Sequence, residues 1–284
     1  MKEKIIKEKI LKEIIKKRAK NTYKSKFGRA LLICGSKSFG GASIMATKAA
    51  VYSGAGLTTL ASDFVNRTTM LSTIPEAMFC DYSNQNQLLG LIKSADTILI
   101  GSGLEKNQFS TDILKTLFNI ATEKQKIIID GTALSIIGEG QVTLPDKPIT
   151  VLTPHQGEWV RLSGLKIPEQ NSDNNFSLLK KLNANYLVLK SSNTEIYDLT
   201  NTKNYYKLTI GGPFQSIGGM GDTLAGIITG FLAQFKNKNL LKIIEAAVYI
   251  HSDIARQLSK KNYISLPTKI SEHLPQAMKE KGDL

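Results

Sequence analysis

The sequence predicts an α/β sandwich built on a mostly parallel central sheet. Three observations carry that expectation. From Phe27 onward, short β-branched runs alternate with longer helical stretches. Runs such as KIIID (126–130) and YLVLK (186–190) are apolar along most of their length, as strands covered by helices on both faces are. Glycine-containing turns follow several of these runs, where a parallel sheet presents its loops to a ligand.

Taken in order, residues 1–22 read as a basic amphipathic helix. Ile6, Ile10 and Ile14, with Leu11 and Ile15, recur at helical spacing and leave lysines on the other face. Residues 1–29 hold 12 lysines and arginines against 3 acids, nine of the chain's thirteen net positive charges. The expected use is a helix packing its isoleucines on the body or on a neighbouring subunit. A nucleic-acid arm is disfavoured, because no aromatic precedes Tyr23 to stack on bases. Residues 23–284 read as one catalytic domain. Strand Ala30–Cys34 runs into Gly35 and then the small-residue helix Ser43–Tyr52. Strands Leu57–Ala61 and Thr97–Ile100 stand either side of helix Asn86–Ser94. Helix Thr111–Glu123 leads to strand Ile127–Asp130, and strand Val151–Thr153 to helix Gly157–Leu162. Helix Phe176–Leu182 precedes a hairpin of Tyr186–Lys190 and Thr194–Asp198, turned at Ser-Ser-Asn. The stretches 170–175 and 201–205 read as surface connections. Two long helices, about Asp222–Phe235 and Leu240–Leu258, finish the body.

Composition narrows the function classes. Hydrophobic residues at 42% and charged residues at 21% are ordinary for a soluble globular protein. The longest apolar run, Thr223–Phe235, falls short of the roughly 18–20 residues a membrane span needs. Cys34 and Cys80, both in apolar surroundings, exclude a disulfide-built scaffold and fit a reducing cytosol. The charged start lacks the apolar stretch of a secretory signal, so a cytoplasmic location is expected.

Three loops could carry chemistry. In the segment 211–234, Gly218, Gly219 and Gly221 crowd before a helix expected to open at Asp222 or Thr223. Glycines there let backbone amides converge, and the helix N-terminus adds unpaired N–H groups and partial positive charge, together a phosphate cradle. Asp222 beside that cradle reads equally as a helix cap or as a base that accepts a hydroxyl proton during phosphoryl transfer. In VLTPHQGEWVRL (151–162), His155 and Glu158 follow a strand end. His155 reads as a turn-satisfied histidine or a ligand contact, and Glu158 as a first-turn carboxylate or a partner of Mg²⁺. In the segment 33–62, Gly40-Gly41-Ala42 opens a helix, yet the glycine spacing does not match G-x-G-x-x-G, so a classical Rossmann site is disfavoured. IGSGL (100–104), IIIDGTAL (127–134) and LKSSNTEIYD (189–198) are weaker signals of the same kind. Asp130 could cap a helix or hold a cation.

In this order FGRALLICGS, GGAS, SGAGLTTLAS, PEAM, IGSGL, DGTAL, LTPHQGE and GGMGDTLAG resemble the NAD(P)H-hydrate dehydratase family, over about residues 23–258. The resemblance implies a ribokinase-like three-layer fold and a stand-alone repair enzyme that dehydrates the (6S) form of hydrated NADH or NADPH. It implies ADP or ATP as co-substrate, with Mg²⁺. By that match Ala42, Gly103, His155 and Asp222 would contact the hydrated dinucleotide. Lys190, Ser191, Ser192, Asn193, Thr194 and Gly221 would line the adenine nucleotide. Gly219, Met220 and Gly221 would form the anion hole, Asp222 would be the base, and Glu158 an outer-shell partner of the metal. A homo-oligomer, a tetramer, is expected, with neither nucleic acid nor membrane as partner. The chain departs from the family pattern at Met220, where G-T-G-D has threonine, at Thr132, where D-A-D-A-L has an acid, and at Tyr23-Lys24-Ser25, in place of His-Lys-Gly. These departures leave room for altered nucleotide preference or weakened activity. Two other readings stand beside this one: a vitamin-precursor kinase of the same fold, and a non-catalytic binder of nucleic acid or membrane surfaces.

Overall fold

In the computed structural model, residues 1–236 and 238–283 are described. The chain starts with strand β1 (Lys2–Ile5) and helix α1 (Lys9–Ile14), then β2 (Arg29–Ile33), α2 (Gly40–Tyr52), β3 (Leu57–Ser62), α3 (Arg67–Thr73) and β4 (Met78–Asp81). Next come α4 (Gln85–Ser94), β5 (Thr97–Ile100), α5 (Gln108–Ile120), β6 (Lys126–Ile129), α6 (Gly131–Gly138), β7 (Ile149–Leu152) and α7 (Gln156–Ser163). The chain continues with α8 (Ser172–Lys181), β8 (Tyr186–Leu189), β9 (Glu195–Asp198), β10 (Asn204–Lys207), α9 (Met220–Gln234), α10 (Leu240–Ser259) and α11 (Pro267–Lys281).

Among the described residues, ten strands form one sheet in the order β1-β10-β9-β8-β7-β6-β5-β2-β3-β4. Every neighbouring pair is parallel except β10–β9 and β9–β8. Side chains alternate across the sheet as the pleat requires. Leu32, Leu99, Ile128, Val151 and Val188 join a core shared with α1, α2, α3, α9, α10 and α11. Leu31, Ile33, Ile98, Ile100, Ile127 and Ile129 join a second core with α4, α5, α6, α7 and α8. The molecule is therefore a three-layer sandwich, and the strands are apolar because both faces are covered. Strand order reverses between β2 and β5, so the crevice at their carboxyl ends is where a ligand fits.

The amino terminus differs from the expected 22-residue helix. Lys2–Ile5 instead pair in parallel with β10, Lys2 opposite Asn204 and Ile5 opposite Lys207, and only Lys9–Ile14 are helical. The isoleucine face keeps its predicted burial: Ile6, Ile10, Leu11, Ile14 and Ile15 all lie in the first core. It packs on the chain's own body, so it offers no surface to a neighbouring subunit. The edge of β10 has unpaired backbone groups, and β1 satisfies them at a point where helical spacing alone gives no warning.

Caps move other boundaries. Asn107 accepts the Ser110 amide and starts α5 at Gln108 rather than Thr111. Asn171 accepts the Asp173 and Asn174 amides and starts α8 inside the stretch read as a loop. The stretch 201–205, likewise read as a connection, runs into β10 at Asn204. The long helix after the glycine loop starts at Met220, two residues before Asp222. Among the described residues, no helix is long and apolar enough to cross a membrane.

Candidate active site

The loops that leave β5, β6, β7 and β8, with the turn into α9, meet at the carboxyl end of the sheet. At the centre is an ion pair. Asp130, just past β6, is 3% exposed, and its Oδ1 is 2.8 Å from Lys190 Nζ, just past β8. Thr153 Oγ1 donates to Asp130 Oδ1 at 2.8 Å and Ser102 Oγ donates to Oδ2 at 2.9 Å. Burial would raise the Asp130 carboxyl, but Lys190 and these two hydroxyls hold it below its ordinary range. For Lys190, burial pulls the ammonium down while Asp130, Glu158 and Asp222 push it up, and the carboxylates win. Both partners are therefore charged, as a buried pair with complete hydrogen bonding can be.

The turn into α9 sits against this pair. Gly219 is the helix N-cap in the left-handed region, at φ 91°, and a Cβ there would collide with the Met45 side chain of α2. The left-handed conformation requires glycine, while the Met45 side chain could move aside. A Cβ on Gly221 would lie 3.0 Å from Lys190 Nζ, so the ammonium reaches the first turn of α9. The amides of Met220, Gly221 and Asp222 belong to that first turn, which lacks intrahelical acceptors. Asp222 is the third helical residue and not the cap. Burial and the like charge of Asp130 push its carboxyl up to about 6, with Lys190 and the nearby Ser102 hydroxyl pulling back. The carboxylate thus titrates near neutrality beside an amide cradle and a fixed cation.

His155 combines the two roles left open for it. It caps α7: its Nδ1 accepts from the amides of Gly157 (3.0 Å) and Glu158 (3.3 Å), while Glu158 Oε2 accepts the His155 amide at 2.8 Å. With Nδ1 committed as acceptor, the neutral ring carries its proton on Nε2, and the side chain is 56% exposed toward the crevice. The main chain ties His155 to Lys190 in an isolated parallel bridge.

A cavity of about 590 Å³ opens here, lined among others by His155, Lys190, Ser191, Ser192, Thr194, Met220 and Gly221. Seven expected contacts thus share one cavity. Asn193 is at the tip of the β8–β9 hairpin, its amide donating to Ser191 Oγ at 3.1 Å, and does not line it. Ala42 and Gly103 lie apart from the cavity but together, since a Cβ on Gly103 would come 2.8 Å from Ala42 Cβ. Asp222 stands between the two zones. Its own neighbour Gly221 lines the cavity, and its carboxyl is under the influence of Asp130 and of Ser102, next to Gly103.

Several lining residues carried no signal. Gly212, Pro213, Gln215 and Ser216 belong to the glycine-rich segment, but their place only follows from the turn before α9. His251, 3% exposed in the middle of α10, has an unpartnered Nε2, and burial holds its ring down at about 4, hence neutral. Thr132, where an acid was expected, donates to the Leu104 carbonyl at 2.6 Å and braces the β5 loop. Cys34 and Cys80 are both buried and free.

Among the described residues, no three His, Cys, Asp or Glu side chains converge as a metal site. Glu158 has one oxygen occupied by the His155 amide and lies 4.0 Å from Lys190 Nζ. That donor set fits a cation carried chiefly by a nucleotide's phosphates and touched by Glu158 through water.

Comparison with known proteins identifies the family and the fold. The family model described as NAD(P)H-hydrate dehydratase matches residues 30–276. The ADP-dependent (S)-NAD(P)H-hydrate dehydratase of Streptococcus pneumoniae is 40% identical over 277 residues, 97% of this chain and 95% of that protein. A ribokinase-like superfamily protein from Enterococcus faecalis, solved by crystallography, superposes with a TM-score of 0.93 at 42% identity, covering 99% of this chain and 97% of that one. A Bacillus subtilis ADP/ATP-dependent NAD(P)H-hydrate dehydratase, crystallized with ATP and Mg²⁺, shares the fold with a TM-score of 0.86 at 24% identity, covering 98% of each chain. The fold here is ribokinase-like.

Proposed function

Because this chain belongs to the NAD(P)H-hydrate dehydratase family, we propose that it dehydrates the (6S) form of hydrated NADH or NADPH at the expense of ADP. The products are NAD(P)H, AMP and phosphate. The observation that carries this reading is the placement of Asp222, titrating at about 6, between the nucleotide-sized cavity and the Ala42–Gly103 shelf.

The nucleotide fits the cavity, its phosphates against the amides of Gly219–Gly221 and the Lys190 ammonium, with Ser191, Ser192 and Thr194 along the hairpin. The hydrated nicotinamide lies toward Ala42, Gly103 and the exposed Nε2–H of His155. Asp222 takes the proton of the ring hydroxyl as that oxygen forms a bond to the terminal phosphorus and the bridging P–O bond breaks. The amides and Lys190 meet the charge that develops on the phosphoryl oxygens, as preorganised donors do best in a site shielded from water. The hydroxyl has become a phosphate ester, a better leaving group. The ring nitrogen's lone pair expels phosphate, the neighbouring ring carbon loses a proton, and the dihydronicotinamide double bond returns. Mg²⁺, when bound, neutralises charge on the phosphates, and Glu158 is the residue placed to hold its water.

Buried free cysteines fit a reducing compartment, and we place the protein in the cytoplasm. Any homo-oligomer must use a face other than the isoleucine stripe. The deciding experiment supplies purified protein with hydrated NADH and ADP, and in parallel ATP, and follows the near-ultraviolet band of reduced nicotinamide. The band should return with ADP. If neither nucleotide restores it, the dehydratase reading fails and a kinase of the same fold takes its place.

A further inference from the structure

The Ala42–Gly103 shelf carries an aromatic ring that the fold does not use. Phe39 is 57% exposed and joins neither hydrophobic core. It belongs to the shelf all the same. A Cβ on Gly103 would come 2.6 Å from the Phe39 carbonyl oxygen, 2.8 Å from Ala42 Cβ and 3.3 Å from Phe39 Cβ. The Phe39 side chain therefore leaves the backbone beside Gly103. The residue is the N-cap of α2, yet its side chain caps nothing, and phenylalanine is a poor choice for that duty. Its perch is fixed from two sides. Asn66, 7% exposed, donates from Nδ2 to the Ser36 carbonyl at 3.2 Å and to Ser62 Oγ at 2.9 Å, and a Cβ on Gly40 would strike its Oδ1. Ser38 Oγ donates to Glu105 Oε1 at 3.2 Å, across to the loop after β5. Two residues on, Gly41 is exposed, its φ is not positive, and a Cβ there would meet nothing within 4 Å. Neither conformation nor crowding within the chain calls for glycine at 41, and its effect is to leave the shelf open next to the ring.

We propose that Phe39 is the platform for the nicotinamide half of the hydrated dinucleotide, which lies against the aromatic face with its edge over Gly41. This role rests on the dehydratase reading above. An apolar ring left in water gains by being covered, and a partly saturated nicotinamide presents C–H groups to an aromatic face. Phe39, Ala42 and Gly103 all stand outside the cavity that takes the adenine nucleotide. The ring that bears the reacting hydroxyl must meet the phosphoryl group from the other side of Asp222, and the platform is on that side. A rigid perch suits the task, because the ring is already in place when the substrate arrives and little ordering remains to oppose binding.

Phe39→Ala should raise KM for hydrated NADH about 10-fold, the worth of one aromatic stack, and leave KM for ADP unchanged. Phe39→Tyr should restore the wild-type value. Gly41→Ala should also raise KM for hydrated NADH, with a melting temperature no lower than the wild type's, since alanine suits a helix better than glycine. Phe39→Trp reads binding without turnover. Trp159, the one native tryptophan, is fully buried, and the wild type supplies its background. Reduced nicotinamide absorbs where tryptophan emits, so NADH and reduced nicotinamide mononucleotide should quench the new emission and ADP should not. An unchanged KM for hydrated NADH in Phe39→Ala would overturn the proposal and leave the dehydratase reading intact. Quenching by ADP without quenching by the mononucleotide would overturn it too. If the wild type dehydrates nothing yet the mononucleotide quenches Phe39→Trp, the platform stands and the reaction assigned to it falls. A lower oligomeric mass for Phe39→Ala in light scattering would place the ring between copies of the chain, against the proposal. Should Phe39→Ala fail to fold, the quenching of Phe39→Trp decides.

Discussion

Asp222 is a carboxylate that the fold tolerates at a cost. Its ionisation is opposed by burial and by Asp130, so the folded state holds its proton more tightly than the unfolded chain does. The sign of the linkage follows: stability is full at low pH and declines as pH rises through about 6. Asp222→Asn should therefore melt at a higher temperature than the wild type at pH 8, measured by calorimetry, while turnover drops by roughly 10²–10⁴-fold, the usual contribution of a general base. Retained turnover would reduce the residue to helix-dipole decoration. In the wild type, kcat should fall as pH drops below about 6, because the base is then protonated. Asp222 and His155 were legible in the sequence because each sits in a short motif beside a helix start. Ser102 lay in a loop that gave only a weak signal, IGSGL, and His251 gave none, since nothing local distinguishes a histidine in mid-helix until the packing of α10 turns it toward the cavity.

At the level of elements, the first turn of α9 is the working part, and its glycines are set by neighbours rather than by propensity. Gly221→Ala puts a methyl group against Lys190 Nζ, so ADP should bind about 10-fold more weakly by titration calorimetry, equivalent to about 1.4 kcal/mol. Unchanged affinity would separate the cradle from the nucleotide. The short helix α1 makes a different test. Leu11 is fully buried, so Leu11→Ala should cost about 2–5 kcal/mol in denaturant unfolding with little effect on KM. The amphipathic spacing of residues 6–15 identified the buried face correctly but not the element. Periodicity reports which side chains are covered, whereas backbone pairing with β10 depends on a partner about 200 residues away. Strands β2, β5, β6, β7 and β8 were readable because apolar runs bounded by turns leave few alternatives. The short, half-exposed β10 and the edge strand β4 lacked that signature.

Across the whole molecule, α10 serves both the site, through His251, and the packing of the amino-terminal segment, through Glu245. Glu245 on α10 lies beneath the amino-terminal segment, 8% exposed, and burial pushes its carboxyl up to about 7, with Lys242 opposing and Glu13 assisting. The same linkage predicts stability that declines as pH rises from the ordinary value of 4.5 through about 7. Glu245→Gln should flatten that decline and raise the melting temperature at pH 8, and identical pH profiles for the two proteins would refute the assignment. The sandwich as a whole was legible from the alternation of strand and helix signals, and the switch point between β2 and β5 then located the crevice. The pairing of Lys2 with Asn204 has a kinetic corollary. On the ribosome the first strand emerges long before its partner exists, so a greasy isoleucine ridge must wait, unsheltered, until most of the polypeptide has been synthesised. Residues 2–5 cannot pair until residues 204–207 have been made, and a chaperone that recognises nascent apolar segments has a long opportunity there.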